Sequence, residues 1–243
     1  MIQARMTSTR LPNKVLLPLV GKPVLEHIVT RLQYCRNLDQ VIVLTSVEPT
    51  DDPIEQWCSE SGIDCFRGSL LDVLDRYYKA AIQYRVDVIV RITGDCPVAD
   101  PRIVDEVIDG FFLGGYEAYG LTGEFPDGLD CQVFALKAIE RAWHEAVSPR
   151  DREHPGAYIE VTRPDLFRRG GLVKFKGLEH HRWTLDEPRD YVFLKEVFAR
   201  LHIPEEPFLT QDILGLEQSA PELFAINADI KRNEAFLKSM ARG

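Results

Sequence analysis

The chain has 243 residues, of which 45% are hydrophobic and 28% are charged, as expected for a soluble globular protein with a sizeable core. Its formal net charge of −9 argues against broad nucleic-acid binding, which requires a basic surface that displaces counterions. No apolar run approaches the roughly 20 residues of a membrane-spanning helix, and the first residues lack the order of a signal peptide. We therefore expect a cytoplasmic protein that binds neither nucleic acid nor membranes.

Alternating helix and strand patterns occupy the first half of the chain. Pro23 is predicted to open a helix with one apolar face, and residues 41–45 form a β-branched strand pattern. Further elements are predicted as a helix at 53–61, a strand at 63–66, a helix at 70–84, a strand at 86–92 and a helix that begins at Pro101 with Asp100 as its N-cap. This order predicts an α/β protein, a three-layer α/β/α sandwich around a mainly parallel, mixed sheet.

The pattern becomes less regular after residue 112. Strands are predicted at 116–120 and 130–134, a hairpin between 172–175 and 180–185, and helices at 136–147, 152–162, 189–201 and within 210–240. Repeats and linker-like segments are not evident. We therefore predict one domain over residues 1–243, with an elaborated second half.

The five cysteines include no CxxC pair, so neither a disulfide framework nor a cysteine zinc site is predicted. His180 and His181 are adjacent, and in the predicted strand their side chains would point to opposite faces. We therefore expect that they do not share one metal ion.

A basic loop opens the chain. The first twenty-five residues contain four cations and no acid, namely Arg5, Arg10, Lys14 and Lys22. Guanidinium and ammonium groups can neutralise a polyphosphate, while nearby hydroxyl and backbone N–H groups fix its geometry. The alternative is an ordinary solvated loop. Because the glycines of a P-loop are missing, a phosphate site here would depend on side-chain cations as much as on the backbone.

Two aspartates follow predicted strands. Asp95 comes directly after the strand at 86–92, at the carboxyl edge where open α/β sheets bind ligands, and its carboxylate suits Mg²⁺. The alternative is that Asp95 caps the following turn. Asp186 is either a helix cap or a second carboxylate at the same metal, and Asp190 is expected to be the acid at the helix terminus.

The loop at 126–134 carries Asp127, Gly128 and Asp130 before a strand. These residues could accept hydrogen bonds from sugar hydroxyls, or they could form an ordinary turn, which is more common. No GxSxG motif or catalytic-cysteine context is present, so covalent catalysis is not indicated.

Several sequence blocks, taken together, resemble the cytidylyltransferase family. They lie at residues 2–32, 66–81, 89–97, 126–134, 180–191 and 226–239. The nearest branch is similar to spore coat polysaccharide biosynthesis protein F, and the CMP-sialic acid and CMP-KDO synthetases are more distant. The resemblance implies a nucleotide-diphospho-sugar transferase fold, a homodimer, and transfer of CMP from CTP to a sugar with release of pyrophosphate. It also implies one cytidylyltransferase-like domain, with a nucleotide-binding half at about 1–112 and a sugar-binding and dimerisation half at about 113–243.

The resemblance also implies roles for individual residues. Nucleotide-binding residues would be Gln3, Ala4, Arg5, Arg10, Lys14, Thr93 and Gly94. Asp95 and Asp186 would hold Mg²⁺, and Arg10, Lys14 and Asp95 would be the catalytic residues. Sugar-binding residues would be Arg91, Asp127, Gly128, Asp130 and Arg182, with the two arginines holding the carboxylate of a sugar acid.

Three features depart from the family pattern. Relatives usually have several apolar residues before Gln3, whereas here only Met1 and Ile2 precede it, so a short first strand is expected. Gln132 stands where Glu is usual, which removes one acidic contact. The segment at 154–159 contains Pro155 and Gly156, which are expected to change the local helix start and the packing of the substrate loop.

Two other functions compete with cytidylyl transfer. A glycosyltransferase of similar fold would consume a nucleotide sugar, but such enzymes commonly carry an Asp-x-Asp motif, and residues 94–97 contain one acid. A non-catalytic nucleotide-binding subunit would retain the fold without the chemistry. The cations of the basic loop together with Asp95 favour an enzyme.

Overall fold

The computed structural model describes residues 1–204 and 206–232. Its strands are β1 (Ile2–Gln3), β2 (Pro18–Leu19), β3 (Lys22–Pro23), β4 (Ile42–Ser46), β5 (Asp64–Gly68), β6 (Val88–Thr93), β7 (Ala118–Thr122), β8 (Gln132–Ala135) and β9 (Arg169–Val173). Its α-helices are α1 (Val24–Leu32), α2 (Asp52–Ser61), α3 (Val73–Gln83), α4 (Pro101–Gly114), α5 (Leu136–Glu145), α6 (Pro149–Glu153), α7 (Pro188–Leu201) and α8 (Thr210–Ser219). No helix among these residues combines the length and the hydrophobicity that crossing a bilayer requires.

The main sheet has seven strands in the order β5-β4-β1-β6-β8-β7-β9. Strands β5, β4, β1 and β6 pair in parallel, β8 is antiparallel to both of its neighbours, and β9 pairs in parallel with β7. The short β1 lies in the middle of the sheet, with Ile2 opposite Val43 on one side and Ile92 on the other. The mainly parallel, mixed sheet is therefore confirmed, and so is the short first strand.

Hydrophobic residues fill both faces of this sheet. Val43 belongs to one cluster with residues of α1, α4 and α7, whereas Leu44 belongs to a second cluster with residues of α3 and α5. Because successive strand residues point to opposite faces, the two clusters lie on the two sides of the sheet. The chain thus forms the predicted three layers. Trp183, which has no exposed surface, is the largest of the fully buried side chains in the described residues.

Capping residues account for two helix starts. The Asp100 carboxylate accepts a hydrogen bond from the backbone N–H of Arg102, so Asp100 is the N-cap of α4 as predicted. Helix α3 begins at Val73, later than predicted, because the Asp72 side chain caps it by accepting from the N–H of Asp75.

The predicted hairpin between 172–175 and 180–185 is wrong. Strand β9 pairs with β7, while the backbone of residues 181–185 bonds to two loops. The N–H of Asp127 donates to the carbonyl of His181 (3.0 Å), Trp183 donates to the carbonyl of Asp127 (2.7 Å), and Leu185 donates to the carbonyl of Asp95 (2.8 Å). A run of buried residues at 181–185 is therefore compatible with an extended segment but does not identify its hydrogen-bond partners.

Because residues 180–185 do not form a regular strand, the rings of His180 and His181 do not point to opposite faces. Their centroids are 4.1 Å apart. The expectation that their side chains diverge is wrong.

The predicted continuous helix at 152–162 is also wrong. Helix α6 ends at Glu153, and a π-helical turn covers Tyr158–Thr162. Pro155 has no N–H to donate within a helix, and Gly156 lowers helix stability, which explains the interruption. In the last segment, α8 is followed by a 3₁₀ turn at Pro221–Leu223, and the predicted helical content beyond residue 232 lies outside the described residues.

Candidate active site

The candidate active site lies at the carboxyl ends of β1 and β6. The basic loop leaves β1 at Ala4, whose N–H donates to the carbonyl of Leu44 (2.9 Å), and Gly94 follows β6. The N–H of Gly94 donates to the carbonyl of Gln3 (2.9 Å). A Cβ atom at Gly94 would lie 3.0 Å from that carbonyl oxygen and 3.1 Å from Val15 Cγ1. Glycine therefore allows the basic loop and the Asp95 turn to pack closely.

Lys14 joins the two predicted metal-binding aspartates. Its Nζ lies 3.0 Å from Asp95 Oδ2 and 2.7 Å from Asp186 Oδ1. The residue is 9% exposed. Burial by itself lowers the pKa of Lys14, but the two carboxylates outweigh this effect and raise it. Lys14 is therefore a charged ammonium group at neutral pH.

Arg10 contributes a second cation to the same cluster. Its Nη2 lies 2.9 Å from Asp186 Oδ2, and its Nη1 lies 3.0 Å from Glu187 Oε1. Burial lowers the pKa of Arg10, but Asp186 and Glu187 more than offset this effect. Asp186 thus contacts both Arg10 and Lys14, so the basic loop is not an ordinary solvated loop.

Asp95 is held by contacts from both sides. Its Oδ1 accepts a hydrogen bond from the hydroxyl of Thr93. Burial raises the pKa of the Asp95 carboxyl, but Lys14 and Thr93 outweigh burial and lower the pKa to about 2. The backbone carbonyl of Asp95 accepts from Leu185 N–H (2.8 Å) and from the Thr184 hydroxyl (3.2 Å). These backbone contacts place the segment that carries Asp186 next to Asp95.

Asp190 fixes the start of α7. Its Oδ2 accepts hydrogen bonds from the backbone N–H groups of Asp186 (2.9 Å) and Glu187 (2.8 Å). Glu187 is the N-cap, and Asp190 at the third helical position completes a capping box. The prediction that Asp190 is the helix-terminal acid is confirmed. The carboxylate of Asp186 is instead directed to Lys14 and Arg10.

A first cavity, with a volume of 290 Å³, opens beside the basic loop. It is lined by each of the predicted nucleotide-binding residues, Gln3, Ala4, Arg5, Arg10, Lys14, Thr93 and Gly94. Asp95 and Asp186 also line it. The structure therefore brings the predicted phosphate-binding cations and the predicted metal ligands to one cavity.

A second cavity, with a volume of 390 Å³, lies next to the first. Of the predicted sugar-binding residues, Arg91, Asp127, Asp130 and Arg182 line it. The two cavities share several lining residues, namely Gln3, Arg10, Thr93, Asp95, His154 and Asp186. The two cavities therefore meet at the Lys14-bridged carboxylates.

Gly128 does not line either cavity but supports the second one. Its φ is +105°, a conformation that favours glycine, and a Cβ atom there would lie 2.6 Å from the carbonyl carbon of Trp183. The loop carrying Asp127 and Asp130 can therefore approach residues 183–184 only because residue 128 has no side chain.

The predicted sugar-binding arginines already have protein partners. Arg182 forms a two-bond ion pair with the buried Asp190 (2.8 Å each) and a bond to Asp127 Oδ2 (3.1 Å). Arg91 donates to Gln3 (3.1 Å) and to Gln132 (2.6 Å).

The carboxyl group of Asp127 in this cavity has a raised pKa. Burial is the main cause that raises it to about 7, and the nearby Asp130 acts in the same direction, whereas Arg232 and Arg182 oppose the shift.

Sequence reasoning missed several lining residues. Arg76, on α3, lines the first cavity and is 3% exposed, and its Nε donates no hydrogen bond to any residue that the structure describes. The sequence contained one signal for Arg76, because a cation on the apolar face of a predicted helix needs a partner or a ligand. Glu160 was missed in the second cavity, where its Oε1 accepts from Gln132 Nε2 (2.7 Å). Glu160 lies in the π-helical turn Tyr158–Thr162, a segment that was predicted as part of a continuous helix at 152–162.

The donor set of Asp95 and Asp186 fits Mg²⁺. Both carboxylates lie within 3.0 Å of one ammonium nitrogen, so they already converge on a single cation. Mg²⁺ prefers hard oxygen ligands and is usually bound through one or two carboxylates together with substrate phosphates.

The model of the cytidylyltransferase family matches residues 1–209. This chain belongs to the cytidylyltransferase family. It is 34% identical over 236 residues to an uncharacterized protein of Methanocaldococcus jannaschii, covering 95% of this chain and 94% of that protein. It is 33% identical over 213 residues to spore coat polysaccharide biosynthesis protein SpsF of Bacillus subtilis, covering 82% and 85% of the two chains.

This cytidylyltransferase is also similar to a solved cytidylyltransferase structure from Leptospira borgpetersenii. The TM-score is 0.86 at 33% identity, covering 92% of this chain and 94% of the other. A solved CMP:2-keto-3-deoxy-manno-octonic acid synthetase (17% identity, TM-score 0.61) and a nucleotidyl transferase from Methanothermobacter thermautotroptrophicus (16% identity, TM-score 0.64) share the fold. Both the predicted family and the predicted fold are confirmed, and the protein is a nucleotidyltransferase enzyme.

Proposed function

We propose that this cytidylyltransferase transfers CMP from CTP to a sugar acid, with Mg²⁺ and with release of pyrophosphate, in the synthesis of a surface polysaccharide. The observation that carries the proposal is the junction of two cavities at Asp95 and Asp186, which share Lys14. A reaction between a nucleoside triphosphate and a second substrate requires two adjoining sites with the reacting atoms at their junction.

The first cavity is assigned to CTP. Arg5, Arg10, Lys14 and Arg76 line it and supply the positive charge that a triphosphate requires. Arg76 supports this assignment because it places a buried guanidinium group beside this cavity, where it adds to the positive potential at the proposed phosphates. Ser8 and Thr9 add hydroxyl groups on the same loop.

Asp95 and Asp186 would hold Mg²⁺. The metal would neutralise phosphate charge in the transition state of phosphoryl transfer. Arg10 and Lys14 would stabilise the negative charge that develops on the departing pyrophosphate. Asp95 is anionic over the whole neutral pH range because its pKa is about 2.

The second cavity is assigned to the acceptor sugar. Asp127, Asp130 and Glu160 offer carboxylate oxygens for sugar hydroxyls, whereas Arg91 and Lys231 supply positive charge for the carboxylate of a sugar acid. The charge of Arg182 is already compensated by Asp190 and Asp127, so Arg182 is assigned to holding the wall of this cavity. A sugar hydroxyl oxygen would attack the α-phosphorus in line with the leaving group. The new O–P bond would form as the bond to pyrophosphate breaks, and the hydroxyl proton would be released.

Two alternatives predict different substrates. A glycosyltransferase would bind a UDP- or GDP-sugar, and its metal commonly lies at an Asp-x-Asp motif. Here the second carboxylate beside Asp95 comes from Asp186, far along the chain, which favours nucleotidyl transfer. A non-catalytic subunit would bind CTP without turnover. The paired carboxylates beside the Arg10 and Lys14 cations favour a catalyst over this alternative.

The decisive experiment measures pyrophosphate release from CTP and Mg²⁺ with a panel of sugar acids. We expect release with at least one acid and none when Mg²⁺ or the acid is omitted. Asp95→Asn is expected to abolish turnover with the fold retained by circular dichroism. The exposed acid variant Asp229→Asn serves as the matched control.

Other outcomes would assign other functions. Turnover of a UDP- or GDP-sugar without CTP chemistry would establish the glycosyltransferase. Tight CTP binding with no turnover on any acceptor would favour the non-catalytic subunit. Unchanged turnover in Asp95→Asn would remove Asp95 from the metal site. The homodimer stays a prediction from family resemblance, which light scattering coupled to gel filtration would test.

A further inference from the structure

Two histidines and a glutamate converge outside the active-site cleft. His180, His181 and Glu217 each offer a ligand atom, and these atoms all lie within 4.8 Å of one another. None of the three lines either of the two cavities assigned to CTP and the acceptor. The group therefore needs an explanation that is independent of the cytidylyl transfer reaction.

The donor types point to a transition metal. Two imidazoles and one carboxylate are ligands of Zn²⁺ and its neighbours, whereas Mg²⁺ prefers an all-oxygen set. His181 Nε2 lies 3.5 Å from Glu217 Oε2. Ligand atoms about 2.0–2.1 Å from a tetrahedral Zn²⁺ are separated by about 3.3 Å, so this pair is already close to the required spacing.

One ligand is held rigidly and another is adaptable. His181 is 4% exposed, and its ring packs near those of Trp183 (5.5 Å between centroids) and Phe224 (5.7 Å). His180 is exposed, so its side chain can move toward a metal without repacking the core. A small rotation of His180 and Glu217 would close the group to coordination distances.

We propose that His180, His181 and Glu217 bind Zn²⁺ or a similar divalent transition-metal ion, with water as a further ligand. Glu217 lies on α8, whereas the two histidines immediately precede Arg182. The carbonyl of His181 also accepts from the N–H of Asp127 (3.0 Å). The ion would therefore connect α8 to the segment that supports the wall of the second cavity, and its role would be structural.

The test is a titration of the full-length protein with Co²⁺ in excess Mg²⁺ and without nucleotide, followed by Zn²⁺ competition. We expect one Co²⁺ per chain with the visible absorption of low-coordinate, nitrogen- and oxygen-bound cobalt. His180→Ala and Glu217→Gln should each weaken binding by at least about tenfold. His144→Ala removes an exposed histidine elsewhere and should bind like the unmodified protein.

A second readout separates metal binding from folding. Zn²⁺ should raise the thermal unfolding midpoint of the unmodified protein and of His144→Ala, but not that of His180→Ala. His180 is exposed, so its substitution is expected to leave the apo fold intact. Equal Co²⁺ affinity in all variants would overturn the proposal. So would near-ultraviolet thiolate-to-cobalt absorption, because it would assign the ion to cysteine. Neither readout depends on CTP turnover.

Discussion

Lys14 Nζ lies 2.7 Å from Asp186 Oδ1, although 172 residues separate them in the chain. The same nitrogen lies 3.0 Å from Asp95 Oδ2, across 81 residues. Three segments with different local patterns thus meet at one ammonium group. The two carboxylates come close without strong mutual repulsion because Lys14 lies between them, and the same cation is next to the proposed CTP cavity.

The Lys14 contact predicts a large effect on nucleotide chemistry. Lys14→Gln removes the charge that Asp95 and Asp186 share, so we expect weaker Mg²⁺-dependent CTP binding and a loss of turnover of about 10²–10³-fold. Isothermal titration with CTP and a pyrophosphate-release assay would measure these effects. Lys22→Gln, in the same basic segment but paired with Glu26 in solvent, should change neither quantity. Equal behaviour of the two variants would exclude a role for Lys14.

A side chain at residue 128 is expected to clash with the segment that supports the second cavity. Gly128→Ala would place a Cβ atom 2.6 Å from the carbonyl carbon of Trp183 and 2.7 Å from the amide nitrogen of Thr184. These are backbone atoms, so the loop or the segment leading to Asp186 must move. Gly177→Ala has a positive φ of +73° but no atom within 4 Å of its new Cβ, and it isolates the backbone strain.

In urea unfolding we expect Gly177→Ala to cost about 1 kcal/mol and Gly128→Ala at least about 2 kcal/mol more. Equal losses in the two variants would show that the contact with residues 183–184 adds nothing to the backbone strain.

Loss of the buried ion pair of Asp190 should lower the free energy of unfolding more than loss of an exposed ion pair. Asp190→Asn weakens the two-bond pair with Arg182 and the contacts to two backbone N–H groups, and it leaves Arg182 buried with reduced compensation. We expect a loss of about 3–5 kcal/mol in the free energy of unfolding. Asp229→Asn weakens a two-bond pair with Arg189 at the surface, and its stability should match that of the unmodified protein within error. Equal losses would contradict the assigned burial of Arg182 and Asp190.

The burial of His27 should make the free energy of unfolding depend on pH. The side chain is 5% exposed, and its Nε2 lies 2.7 Å from the carbonyl oxygen of Leu19. Burial is the main cause that lowers the pKa of His27 below its usual 6.5. The unfolded chain then binds more protons than the native state as the pH falls. The His27 contribution to stability is therefore complete above about pH 6.5 and is lost as the pH falls toward the lower native pKa.

His27→Gln can place an amide donor near the position of Nε2 for the Leu19 carbonyl, but it removes the titration. Urea unfolding at about pH 8 and at about pH 5.5 should show a smaller loss of stability in the variant than in the unmodified protein, by up to about 1.4 kcal/mol per pH unit. His154 and His181 are shifted in the same direction, so only the difference between the two proteins reports on His27. Parallel pH profiles would contradict the lowered pKa.

Local patterns predicted the elements that bury one face or carry a cap. Helix α4 begins where Asp100 and Pro101 indicate, and β4 and β6 lie within or next to the apolar runs that predicted them. These predictions succeeded because helix capping and the periodicity of buried residues depend on neighbours in the sequence. The predicted hairpin failed because burial alone does not reveal which backbone groups accept the hydrogen bonds of residues 181–185.

The sequence by itself determined the fold class, the family and the residue types available for phosphate and metal binding. Only the tertiary structure decided which of these residues meet. Asp186 reaches Asp95 because the Asp95 carbonyl accepts from Leu185 and because Asp190 fixes the start of α7, and both contacts join segments without a shared periodicity. Tertiary packing also places Arg76 beside the first cavity and brings Glu217 next to His180 and His181. Packing brings distant segments together according to the volume and hydrogen bonds of the whole chain, which a local pattern of residues does not contain.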